Sequence, residues 1–153
     1  MKKISVYLLI IICLFITGCG SDKKKNAITL DEFESAAELE GFNVIDNMDG
    51  YVNVSYILES KVAKYDDIEI EMIKYSDSDY ASQVQEQQVQ SFNMLKSTGA
   101  FVEKEKGSNY YKYALISNNR YMISTRVDDT LIFAKVMLEE RENIDKVINE
   151  LGY

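Results

Sequence analysis

Histidine, tryptophan and proline are all missing from the 153 residues. Without histidine there is no imidazole to activate a serine or cysteine nucleophile, no histidine-containing zinc site, and no side chain that ordinarily changes charge near neutral pH. Cysteine occurs only twice, as Cys13 and Cys19. Positive charge is the minority, with 17 basic against 25 acidic residues and a net charge of −8. Such a chain repels phosphate backbones, so nucleic acid is excluded as a partner, and basic or cationic partners suit it better. No cofactor motif is present.

The one long apolar run is also short for a membrane span. Lys2 and Lys3 precede Ile4 to Ile16, interrupted only by Ser5 and Tyr7. As a helix, residues 4–18 reach about 22 Å, below the roughly 30 Å hydrocarbon core, so the run reads as the apolar part of an export signal. It ends in Ile16-Thr17-Gly18-Cys19, followed by Gly20 and Ser21. This order of charge, apolar run, small pair and cysteine resembles the lipobox of bacterial lipoproteins. The resemblance implies cleavage between Gly18 and Cys19. It also implies a diacylglyceryl group, with acyl chains such as palmitate, on the Cys19 sulfur. Two acyl chains make membrane attachment stable without a transmembrane helix. The expected organisation is a signal peptide over 1–18, the lipidated cysteine and a flexible tether over 19–28, and one domain over 29–153. The expected place is the extracytoplasmic face of the cell membrane. Cys13 leaves with the signal, so no disulfide staples the fold.

Within the domain, Thr29-Leu30-Asp31-Glu32 forms a capping box ahead of an apolar stripe of Leu30, Phe33 and Ala37, with Gly41 placed to end the helix. A short strand is expected at Phe42 to Asp46. Alternation of Val52, Val54, Tyr56 and Leu58 predicts a strand over 51–59, and Ile68, Ile70 and Met72 predict the next, joined by a polar link over 60–67. Acids at Ser76 to Asp79 introduce a Gln-rich helix running to Lys96. Residues 97–108 read as a mobile loop with a short strand around Ala100 to Glu103. Tyr110 to Ser117, Arg120 to Val127 and Thr130 to Leu138 are alternating runs split by Asn118-Asn119 and Asp128-Asp129, an antiparallel meander. Ile144, Val147, Ile148 and Leu151 mark a closing helix. The fold class expected is α+β: five to six antiparallel strands in the order αβββαβββα, a doubled αβββ unit being one reading, with two to three helices packed on one face. Beyond the lipobox this pattern is similar to small single-domain lipoproteins of Gram-positive bacteria, and none of its motifs carries over a functional residue.

Candidate chemistry is sparse. Asp46, Asn47 and Asp49 suggest a calcium loop, yet Tyr51 and Ile57 stand where an EF-hand needs Gly and Glu, so no metal site is expected. Glu69 and Glu71, as a carboxylate pair, would suit glycoside hydrolysis only if they faced one substrate, and read more simply as solvated. Tyrosine is abundant, at eleven residues. Tyr111 and Tyr113 share one strand face while Tyr110 and Lys112 share the other, making Tyr110, Lys112 and Tyr121 a candidate partner surface, against the simpler reading of β-propensity and packing. The function expected is a non-enzymatic binding or interaction module of the envelope, anchored through Cys19, with a protein or envelope-polymer partner. The alternatives are an acid-dependent envelope hydrolase and a self-protection or inhibitor lipoprotein.

Overall fold

The computed structural model describes residues 23–153; the signal segment, Gly18 and Cys19 lie outside the described residues. The domain is α+β. Its elements are α1 (Leu30–Leu39), β1 (Asn43–Asp46), β2 (Ile57–Tyr65), β3 (Ile68–Tyr75), α2 (Ser78–Met94), β4 (Phe101–Lys106), β5 (Tyr110–Ser117), β6 (Arg120–Val127), β7 (Thr130–Met137) and α3 (Arg141–Glu150). The strands form one antiparallel sheet of seven in the order β1-β2-β3-β7-β6-β5-β4, one strand more than the sequence pattern suggests.

Local chemistry accounts for most boundaries. The Thr29 side chain accepts from Glu32 N while Glu32 accepts from Thr29 N, so the expected capping box starts α1. Gly41, at φ +86°, ends it: Gly41 N donates to Glu38 O and Phe42 N to Ala37 O, the paired bonds of a Schellman motif. Asp77 caps α2 by accepting from Asp79 N and Tyr80 N. Asn118 and Asn119 both have positive φ, which lets a two-residue turn follow the twist of β5 and β6. The meander stands within a residue of its expected bounds.

Two stretches differ from expectation. Residues 51–59 do not form a strand throughout: Met48–Tyr51 is a 3-10 turn, Asn53 turns with φ +73°, and β2 begins only at Ile57. The expected link over 60–67 is therefore mostly strand, with Asp66-Asp67 alone turning. Its polar look is explained by Lys61, whose Nζ lies 2.9 Å from Asp31 Oδ1 and also pairs with Glu34, so α1 neutralises a lysine carried by the strand. Within 97–108 the short strand expected around Ala100 to Glu103 is present as the longer edge strand β4. Its alternating Glu103, Lys104, Glu105 and Lys106 protect an unpaired edge from adding another chain.

The helices cover both faces of the sheet and not one. α1 and α3 bury Leu30, Phe33, Ile144 and Ile148 against Ile70, Met72, Ile123 and Ile132. α2 covers the opposite face, over Tyr75, Ile73 and Leu131 at one end and Tyr113, Leu115 and Met122 at the other. α1 and α2 lie on opposite faces, and the second half carries a fourth strand beyond an αβββ unit. Between the two apolar patches under α2 lies a polar layer. Gln85 Nε2 donates to Tyr111 O at 2.8 Å and to Ser124 O at 3.2 Å, and Arg126 Nε donates to Gln85 Oε1 at 3.2 Å. Among the described residues no buried side-chain nitrogen or oxygen is left without a partner.

Tyr153 locks the final turn. It is buried, its hydroxyl pairs with Thr130 Oγ1, and it accepts from Ile28 N at 3.3 Å. Tyr153→Ala should cost about 3–5 kcal/mol, as for other large buried rings, and Tyr153→Phe about 1 kcal/mol. Urea unfolding midpoints at unchanged slope would measure both, and equal midpoints for wild type and Tyr153→Ala would refute the assignment.

Candidate functional site

Residues 23–28, expected as free tether, are strapped to the domain. Lys25 N donates to Asn109 Oδ1 at 3.1 Å and Asn109 Nδ2 returns a bond to Lys25 O at 2.8 Å, so one side chain holds the strap as a strand partner would. Ser108 N donates to Lys23 O at 3.3 Å. Gly107 makes this approach possible, because a Cβ there would collide with Lys23 O and with the Tyr110 ring. The Lys25 ammonium sits 4.8 Å from the centre of the Tyr110 ring and 3.9 Å from Glu105. Composition marked this segment as a spacer; the docking depends on Asn109, more than eighty residues away, which local reading does not reach.

Beside the strap lies a groove of about 710 Å³ between residues 25–28, α1 and the end of α3. Ala27, Ile28, Ala36 and Leu151 supply its apolar lining, Leu39 stands exposed at one side, and Asp31, Glu32, Ser35 and Glu150 supply polar groups. Asp31 is shared with Lys61 and Glu32 with the α1 cap. The arrangement is suited to an extended segment carrying apolar and basic side chains.

The surface expected around Tyr110, Lys112 and Tyr121 is not displayed. Tyr110 is 2 % exposed and Tyr121 1 % exposed, because the face they share is the one covered by α1, α3 and the strap. Tyr110 donates to Glu105 at 2.9 Å, and that bond pushes its hydroxyl up from the usual range. Tyr121 donates to Asp145 Oδ1 at 2.6 Å beneath the Arg141 guanidinium, 5.1 Å from the ring centre, and Arg141 in turn bonds Asp145 at 2.9 Å. This network docks α3 on the sheet. Lys112 is half-buried, in register between Glu105 and Thr125. Tyr113, on the other face, is buried under α2 and bonds Asn93 at 2.7 Å. The tyrosines that reach solvent are others, Tyr65 among them at 48 % exposure. Tyr56 and Tyr80 stack at 4.8 Å and 10°, with Tyr75 at 6.4 Å behind Tyr56, and they are 36 % and 41 % exposed. Their contact joins the 52–56 turns to the start of α2, a pairing without a sequence signal.

Glu71 is not simply solvated. Its Oε1 accepts from Asn47 Nδ2 at 2.8 Å, Tyr51 hydroxyl at 2.6 Å and Ser60 Oγ at 2.8 Å, tying the 47–51 segment to the sheet. Glu69 and Glu71 line one cavity of about 170 Å³ with Val62, Phe133 and Lys135. Glu69 pairs with Lys64 at 2.6 Å. Among the described residues no group of three or more acidic or sulfur side chains is placed to hold a metal ion.

No protein-family model matches the chain, and no curated protein matches it. Among solved structures it is similar to a GTP binding regulator from Thermotoga maritima, at 14 % identity and a TM-score of 0.47, over 85 % of this chain and 92 % of that one. That likeness is too remote to bear on function.

Two outcomes follow from these contacts. Glu71→Ala leaves three donors unmatched and should cost about 1–3 kcal/mol in denaturant unfolding, with Glu71→Gln costing less. Burial first, then the Glu71 and Asp145 carboxylates, push the Tyr51 and Tyr121 hydroxyls up, and burial does the same for Tyr75. The folded chain therefore holds these protons where the unfolded chain releases them. The stability this contributes is complete below about pH 10 and is lost as pH rises above it. As pH rises through that range the melting temperature should fall while tyrosinate absorbance rises, and a melting temperature flat to strong alkali would refute the coupling.

Proposed function

We propose that the mature chain is a membrane-anchored, extracytoplasmic lipoprotein acting as a non-enzymatic interaction module of the cell envelope. The Ile16-Thr17-Gly18-Cys19 pattern supports the anchor and the place. The observation that carries the interaction reading is the groove beside the strap, with apolar lining and carboxylates around it in an acidic domain. Its partner is a protein or envelope-polymer segment bearing positive charge next to apolar groups, since such a segment gains both burial and charge complementarity there.

A second reading, an acid-dependent hydrolase, draws on the shared cavity of Glu69 and Glu71. Turnover of cell-wall fragments abolished by Glu69→Gln would promote it over the first.

The anchor is tested by mass analysis of the native product. The expected species begins at Cys19 and carries the diacylglyceryl mass, and a bare sulfur would overturn the assignment. For the groove, a photoreactive side chain at position 39 should crosslink a partner through a basic segment. Ser35→Arg should abolish that product at an unchanged melting temperature; a product indifferent to Ser35→Arg refutes the site.

A further inference from the structure

The strap fixes more than the start of the domain. From Ser108 and Asn109, which hold Lys23 and Lys25, backbone hydrogen bonds run across one end of the sheet. Asp128 N donates to Asn109 O, Tyr75 N to Asp129 O, and Ser76 N to Tyr56 O, each at 2.9 Å. This line ends at the Tyr56–Tyr80 stack. Passing from β5 through β6, β7 and β3 to β2 takes four strand spacings, or about 19 Å. Strap exit and exposed aromatic pair thus share one end of the molecule. The opposite end carries the Asn118-Asn119 turn and the end of α2.

Resting on the lipoprotein reading, we infer that this end of the domain faces the bilayer, with Tyr56 and Tyr80 against the lipid headgroups. The decisive quantity is length. Three residues lie between Cys19 and Lys23, and the four steps from one to the other are at most about 14 Å of extended chain. To bring the Asn118-Asn119 end to the membrane instead, the tether would have to span the eight residues of β5, about 26 Å. It is too short to do so while Lys23 and Lys25 stay docked. Tyrosine suits the place the geometry assigns it, since its ring is apolar and its hydroxyl wet, the character that gathers it at membrane interfaces. Asp77, Asp79, Asp128 and Asp129 belong to the same end, so the contact is shallow: carboxylates stay hydrated, and the exposed Lys23 and Lys24 of the strap are available to lipid phosphate.

The test uses the lipidated mature protein on phosphatidylcholine vesicles containing a nickel-chelating lipid. With the Cys19 sulfur taken by lipid, Asp79→Cys and Arg120→Cys each provide one free thiol for a spin label. The expected result is nickel-induced relaxation several-fold larger at position 79 than at position 120. Equal or reversed relaxation on vesicle-bound protein overturns the orientation. Inserting ten Gly-Ser residues between Ser21 and Asp22 should remove most of the difference while the protein still floats with the vesicles; an undiminished difference shows that tether length is not its cause and overturns the argument. Failure of the anchor itself reads differently: mass analysis finds a bare sulfur and the protein does not float.

Discussion

A sheet seven strands wide has two broad faces, and hiding both of them from water is the constraint on which this molecule turns. Burial along β6 shows how complete the solution is, since Tyr121 through Thr125 are all buried although their side chains alternate between faces. Among the described residues, α1 and α3 cover one side and α2 the other. The strap, the Tyr153 ring and the turns over 47–56 close what the helices leave open. Each closure is made by a polar group meeting a specific partner: Asn109 with Lys25, Tyr153 with Thr130, and Glu71 with three donors.

The same requirement explains why tyrosine is so frequent and so little exposed in the meander. A ring with a hydroxyl fills apolar space and still reaches a polar group at the rim. Tyr110, Tyr113 and Tyr121 each do this, toward Glu105, Asn93 and Asp145. Abundance of an amphipathic side chain is thus a sign of a sheet packed on both faces, whereas surface display falls to Tyr65 at the end of β2, Tyr56 in the turn before β2 and Tyr80 in the first turn of α2. The Gln-rich stretch of α2 has a similar logic. Gln85 reaches two backbone carbonyls of the sheet and joins Arg126, so a helix that looks too polar for a core role can cover one.

Between fold and proposed role stands the strap. A segment rich in lysine lies beside an apolar groove a few residues from Cys19, and under the proposed role it would join anchoring and recognition in one region of the chain. Under that proposal its docking would make anchoring directional, because a short leash attached at one end of a rigid body constrains how that body stands. A free tether from residue 20 to 28 would have left the domain to rotate.

What could be read from the chain alone was whatever depends on neighbours a few residues apart. The capping box at Thr29, the Gly41 stop, the Asp77 region cap, the three strands of the meander and the stripe of α3 are all short-range patterns. The excluded chemistries follow directly from the missing histidines. The strand at 51–59, the full extent of the strand within 97–108 and the solvated reading of Glu71 went otherwise: Asn53 turns where alternation continues, β4 is extended to Lys106 by pairing with β5, and Glu71 collects donors from three separate positions. Tertiary structure alone decided which tyrosines are seen by solvent, where the groove forms and which end of the sheet holds the strap. The physical reason is that a side chain's periodicity says it has a face, while only the packed fold says what, if anything, covers that face.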